Sequence, residues 1–271
     1  GKPALYADTG TWASKAIKEA KLLGNVKVVF DGKKQGYRQI GDFSEWEGVT
    51  REASYLYICS NNTIYGTQYH FFPELDSVPL VADMSSDILS RWVNVPKFGA
   101  IFAGAQKNLG PAGLTVVILR KDLAGRAPAT LPTMLKYSTH MADKSCYNTP
   151  PVFATYVMGL VLEWVKSQGG LSAIEQVNNA KAASLYERID ATDFYAGTCE
   201  PADRSKMNVT FRIHREELEE KFVKEAAAQG LVGLKGHRSV GGMRASLYNA
   251  MPLAGVSALI DFMTAFEEKH R

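Results

Sequence analysis

Over roughly the first 165 residues, short apolar runs rich in β-branched and aromatic side chains alternate with helical stretches, and no other feature constrains the fold as much. The runs fall at 4–7, 26–30, 55–59, 80–82, 98–103 and 114–119. Between the first two lies a helical stretch over 14–23, with Gly24 as its stop. Strands linked by helical crossovers pair side by side in one direction, so the pattern predicts an α/β unit with a largely parallel or mixed sheet. A second helix is expected over 151–166, ending at Gly169 and Gly170. That double glycine is read as a domain boundary, which divides the chain into residues 1–167 and 168–271. Beyond it the pattern changes to a long helix over 171–189, strands near 208–213, 231–234 and 243–248, and helices over 216–229 and 255–269. Few strands and long amphipathic helices predict a smaller α+β domain.

Composition narrows the functional classes. With 46% hydrophobic and 22% charged residues, the 271-residue chain is too apolar to be disordered. Its 31 basic and 28 acidic residues leave a net charge of +3 without clustering, which argues against a nucleic-acid partner held by bulk electrostatics. Cys59, Cys146 and Cys199 form no CxxC pair and sit near no histidine at zinc-ligand spacing, so they read as reduced thiols and no metal is expected. The longest apolar stretch, 152–164, is interrupted by Thr155, Tyr156, Gly159 and Glu163, short of the ~18 residues a spanning helix needs, so no membrane partner is expected either. The opening GKPALYADTG is neither a signal peptide nor a transit segment. It reads as a strand already under way without an initiating Met, as in a chain that starts internally.

Five places could carry chemistry. Lys107, in AGAQKNLGPAG, follows an apolar strand and is flanked by Gly104, Ala105, Gly110, Ala112 and Gly113, which leave room for a flat molecule. A desolvated lysine there can form a Schiff base with an aldehyde cofactor; alternatively it is a loop lysine beside turn glycines. Asp83, in VPLVADMSS, stands at the carboxyl end of a strand, where open α/β sheets place ligands. It either holds a pyridine nitrogen protonated or caps the following turn. Trp12, at the head of the first helix, is a stacking platform for a flat ring or a core tryptophan, and Thr63 in SNNTIYG is a hydroxyl donor to a ligand or a turn residue. In GHRSVGGMRASLYN, His237 and Arg238 precede a glycine pair and Arg244 follows it, on a strand face shared with Ser246 and Tyr248. Two guanidiniums suit a substrate with two anionic groups, or else pair with surface carboxylates.

Together, TGTWASKAIKEA, SNNTIYG, VADMSS, GAQKNLGPAG, YNTPPVFATYVMGLVLEW and GHRSVGGMRASLYNAMP resemble, in order and over nearly the whole chain, the phosphoserine aminotransferases, class V members of the fold-type I pyridoxal-phosphate enzymes. The resemblance implies pyridoxal 5'-phosphate as cofactor, with Lys107 joined to its aldehyde, Asp83 on the ring nitrogen, Trp12 stacked on the ring, Thr63 on the ring oxygen and Gln106 on the phosphate. It implies that Asn148 and Thr149 reach the phosphate in a neighbouring subunit, so that a homodimer carries sites at its interface. His237 and Arg238 are implied to bind the substrate phosphate, and Arg244 the α-carboxylate. The implied activity is reversible amino transfer between phosphoserine and 2-oxoglutarate in serine biosynthesis, in the cytoplasm unless an organellar leader precedes the chain, with a role in pyridoxine biosynthesis in some bacteria. Relatives begin earlier by roughly a quarter of their length, with a glycine-rich phosphate loop and a substrate-binding arginine there. Two alternatives therefore stand beside this reading: another class V aminotransferase acting on a small amino acid, and an inactive dimerising fragment.

Overall fold

The structure, a computed structural model describing residues 1–75 and 77–271, resolves the alternation into strands β1 (Ala4–Asp8), β2 (Val26–Asp31), β3 (Tyr55–Cys59), β4 (Asn61–Asn62), β5 (Thr67–Gln68), β6 (Leu80–Asp83), β7 (Phe98–Gly104) and β8 (Thr115–Leu119). Helix α1 (Thr11–Leu23) joins the first two. Six of these strands form one sheet in the order β2-β1-β3-β6-β7-β8, while β4 and β5 make a separate hairpin. All neighbours run parallel except β7 and β8, which are antiparallel, so the mixed, mostly parallel sheet expected from sequence is the one observed.

Period-two alternation assigns each face. Leu5, Ala7, Leu56, Ile58, Leu80, Ala82, Ile101 and Ala103 point into one apolar cluster. Ala4, Tyr6, Tyr57 and Cys59 point the other way, against Ala13 and Ile17 of α1. Because both faces are covered, the central strands read as continuous apolar runs. The chain leaves β1 toward β2 on one side and returns to β3 on the other, so the carboxyl ends of β1 and β3 flank a topological switch point, the place where such sheets hold ligands.

Helices α2 (Lys121–Ala124), α3 (Tyr137–Ala142) and α4 (Val152–Ser167) follow. The turn into α5 (Gly170–Asp190) passes through Gly169 and Gly170 at φ +95° and +78°, two successive left-handed residues that only glycine adopts cheaply. The remaining elements are β9 (Tyr195–Gly197), β10 (Asn208–Ile213), α6 (Glu219–Ala228), β11 (Met243–Ser246) and α7 (Leu253–His270). Their antiparallel sheet, ordered β11-β10-β9, packs on α5, α6 and α7 around Phe194, Phe211, Phe222, Phe262 and Phe266.

Some expectations need correction. Residues 231–234 do not form a strand: Gly230 and Gly233 take φ +84° and +79°, which breaks extension, and only a single bridge joins Lys235 to Met243. The strand expected over 243–248 stops at Ser246, and the helix expected from 216 opens as a short 3-10 turn, Glu216–Leu218, before α6. Strand β9, the β4–β5 hairpin and helices α2 and α3 were not foreseen; none exceeds six residues.

Candidate active site

Lys107 and Asp83 lie on neighbouring parallel strands' ends. Asp83 closes β6, paired in register with Cys59 on one side and Phe102 on the other, and shares the α1 face of the sheet with Cys59. Lys107 sits three residues after β7 ends, in a turn closed by the Leu109 and Gly110 amides donating to the Ala105 carbonyl at 3.1 and 2.9 Å. Burial pushes the Lys107 amine below the usual lysine range; Cys59 and Asp83 pull it back up, and Arg244 adds to the lowering. The Asp83 carboxylate therefore stands close enough to act on the Lys107 amine.

The Asp83 carboxylate is oriented by its own turn. Its Oδ1 accepts from the Ser85 amide at 2.9 Å and the Ser85 hydroxyl at 2.5 Å, the Asx-type turn that sequence suggested as the alternative. Capping and ligand binding are compatible here, because no described residue donates to Oδ2. Ser85 Oγ in turn accepts from the Gly104 amide at 3.1 Å, which ties the Asp83 turn to the end of the lysine-bearing strand.

Trp12 is not a core residue: it is 41% exposed. Indole Nε1 donates to Thr63 Oγ1 at 3.2 Å, and the Lys15 amine stands 4.6 Å from the ring centroid. Thr63 is buried and keeps its hydroxyl hydrogen for another acceptor. Its carbonyl accepts from Arg244 Nη1 at 3.1 Å, while Arg244 Nε is buried without a partner. Arg244 thus links the crevice to a neighbouring cavity of about 200 Å³ lined by Tyr37, Tyr65, Arg212, His237 and Arg244 among others. On β11, Arg244 and Ser246 face the same side, as the alternation predicted, and Asn208 Nδ2 reaches both Ser246 Oγ at 3.3 Å and Tyr248 Oη at 3.2 Å.

The remaining candidates are placed differently. His237 lines the cavity, with Nδ1 within 2.7 Å of Ser239 Oγ and accepting from the Ser239 amide at 3.3 Å, whereas Arg238 is exposed and outside the lining. Gln106 is exposed and its side chain folds over Gly104, where an added Cβ would meet Gln106 Oε1 at 2.6 Å. Asn148 and Thr149 line a second, open groove with β8, Tyr137 and Met158, separate from the lysine crevice. Arg212 escaped the sequence reading. It is held by Glu219 at 2.5 Å and Glu216 at 3.0 Å, and its Nη1 donates to the Val240 carbonyl at 3.3 Å, so it braces the loop that carries His237. The glycine pair Gly241–Gly242, which takes φ +70° and +65° beside it, was the available signal in the sequence.

These residues fit a flat aldehyde cofactor with an anionic substrate: a partly desolvated amine, a turn-held carboxylate with one oxygen open, a half-exposed indole, and a buried, unpartnered guanidinium nitrogen. The fold is that of a class V aminotransferase, and the family described as Aminotransferase class-V matches residues 1–259. Among relatives, the phosphoserine aminotransferase of Desulfotalea psychrophila is 54% identical over 266 residues, covering 98% of this chain and 73% of that protein. The solved phosphoserine aminotransferase of Bacillus circulans subsp. alkalophilus is 48% identical with a TM-score of 0.97, covering 100% of this chain and 75% of that one. The pyridoxal-phosphate-bound enzyme of Trichomonas vaginalis is 37% identical with a TM-score of 0.90, covering 97% and 75%. This chain belongs to the phosphoserine aminotransferase family.

Proposed function

We propose that the protein is a pyridoxal-phosphate-dependent enzyme that moves an amino group reversibly between O-phospho-L-serine and 2-oxoglutarate, as a step of serine biosynthesis. The observation that carries this is the Lys107 amine lying in the field of Asp83 and Arg244, with the His237 cavity opening from Arg244. Lys107 would hold the cofactor aldehyde, Asp83 its ring nitrogen, Trp12 its face, Thr63 its ring oxygen and Gln106 its phosphate. When bound, the cofactor supplies a ring that stores the electron pair of the substrate α-carbon. The amine of Lys107, held below the usual lysine range by burial, takes the α-proton as a general base and returns it in the reverse half-reaction. Arg244 binds the α-carboxylate through its fork, and His237 with Arg238 binds the distal phosphate, a role that requires exposed Arg238 to turn inward.

The same reading includes a homodimer. The groove holding Asn148 and Thr149 lies among exposed Tyr137, Met141, Val152, Phe153 and Tyr156, an apolar surface suited to a second copy. It also includes a cytoplasmic location, use of a related substrate in pyridoxine biosynthesis, and a division into cofactor domain 1–167 and small domain 168–271. Two apolar cores, drawn from opposite ends of the chain, support that division. No helix of the described residues is long and apolar enough to cross a membrane.

The test compares turnover of phosphoserine with that of serine. Because a hydrogen bond to a charged group contributes about 1.5–3 kcal/mol, loss of the phosphate contacts is expected to lower kcat/KM by about two decades or more. Equal rates would favour a class V enzyme for small amino acids. Lys107→Ala is expected to abolish both turnover and borohydride-resistant attachment of the cofactor.

A further inference from the structure

Four buried polar side chains that this chemistry does not touch converge on one turn: Lys181, Asn178, Asn249 and Asn108. Lys181, on α5, has no exposed surface, and its amine meets only carbonyls among the described residues: Nζ donates to the oxygens of Leu247, Tyr248 and Met251, each at 3.0 Å. An ammonium has three hydrogens, and these three acceptors use all of them. A buried charge satisfied this way is costly to assemble, yet it gathers three carbonyls of one turn at a single point.

That turn, between β11 and α7, centres on Asn249. The Asn249 amide donates to Asn108 Oδ1 at 3.0 Å, and its Nδ2 donates to the Leu89 carbonyl at 2.9 Å. Its Oδ1 accepts at 2.9 Å from Nδ2 of Asn178, which lies one helical turn before Lys181 and also donates to the Ser90 carbonyl at 3.0 Å. Asn108 Nδ2 donates to the Ile88 carbonyl at 3.0 Å, and Asn108 is the residue next to Lys107. Hydrogen bonds on this one turn therefore connect the α5 amine to the loop that presents the crevice lysine.

We propose that Lys181 is a positioning residue for Lys107: it fixes the 247–251 turn, which pins Asn108 and so holds the neighbouring amine in the crevice. The proposal rests on the reading of Lys107 as the cofactor-bearing amine. Replacing Lys181 by Met keeps length and removes all three donors, so the turn relaxes, the Asn249 amide withdraws from Asn108, and Lys107 gains solvent. Burial is the main influence depressing the Lys107 amine, so the released amine holds its proton to higher pH.

The measurement is the pH dependence of the rate at which added pyridoxal phosphate joins Lys107 in cofactor-stripped protein, followed by visible absorption well below Tm, whose midpoint reports the free amine. Lys181→Met and Asn249→Ala are each expected to raise the midpoint by about half a unit or more, and the double variant to move no further than the larger single, since both loosen one turn. Phe222→Leu, in the distant aromatic core, is expected to lower Tm and leave the midpoint in place. An unmoved midpoint in folded Lys181→Met or Asn249→Ala overturns the proposal, as does an equal shift in Phe222→Leu; if Lys181→Met does not fold, Asn249→Ala decides. A wild-type protein with no visible band would instead overturn the reading of Lys107.

Discussion

The aromatic core under β10 and the seam between the two sheets are both buried, but they are built by opposite means. In the core, the Phe222 ring stands 5.0 Å from Phe262, 5.1 Å from Phe266 and 6.0 Å from Phe211, contacts that tolerate small displacements. In the seam, Asn61 Nδ2 donates at 2.8 Å to both Ser86 Oγ and Asn208 Oδ1, while Ser205 Oγ donates to Asn61 Oδ1 at 2.5 Å. Asp87, fully enclosed there, accepts from Ser60 and from Gln68 Nε2 at 3.1 Å. Net hydrogen-bond gains are small while apolar burial is large, so the core supplies stability and the seam supplies registration. Registration matters because the seam is where β11, with Arg244, meets the strands that carry Asp83 and Lys107.

Substitutions can break this contrast. Phe222→Ala is expected to cost about 3–5 kcal/mol in chemical denaturation while the folded fraction keeps its kcat. Asn208→Ala strips partners from Asn61, Ser246 and Tyr248; it should cost about 1–3 kcal/mol, yet lower kcat/KM more than Phe222→Ala does. The reverse ranking in activity would dissolve the distinction. Gly66→Ala places a Cβ 2.1 Å from Thr210 Oγ1 at φ +82°, and a loss of more than about 1 kcal/mol is expected, read as a lowered Tm.

The smallest effect is a pH dependence in the same seam. His70, whose Nε2 lies 3.1 Å from the Arg204 carbonyl, is held below its ordinary value of 6.5 by burial, with Lys206 and Arg91 adding to the push. The unfolded chain therefore binds more protons in the window just below 6.5, so the stability contributed there is present above 6.5 and lost as pH falls through the folded value. Thermal melts should show Tm declining below pH 6.5 in the wild type, and declining less in His70→Gln.

The central sheet was legible because strands buried on both faces are unbroken apolar runs, and Lys107 and Asp83 stood out as candidates because each lies at or just beyond the end of such a run. Residues 231–234 misled because Leu231, Val232 and Leu234 look strand-like while Gly230 and Gly233 turn the backbone away. Trp12 could not be placed from sequence, since an indole in a helix's first turn faces core or solvent depending on what lies beyond it. The seam was illegible for a different reason: Asn108 and Asn249 are 141 residues apart, and amides paired at that distance leave no local periodicity.

The half-exposed indole of Trp12 also gives the molecule an optical gauge. Trp46 is shielded in the apolar core and Trp92 faces solvent, while Trp12 is bonded to Thr63 at the mouth of the crevice. A conjugated ring settling over that mouth drains Trp12 emission more than that of Trp46, Trp92 or Trp164, so ultraviolet fluorescence alone can follow ligand arrival and departure in real time, and Trp12→Phe should weaken the signal.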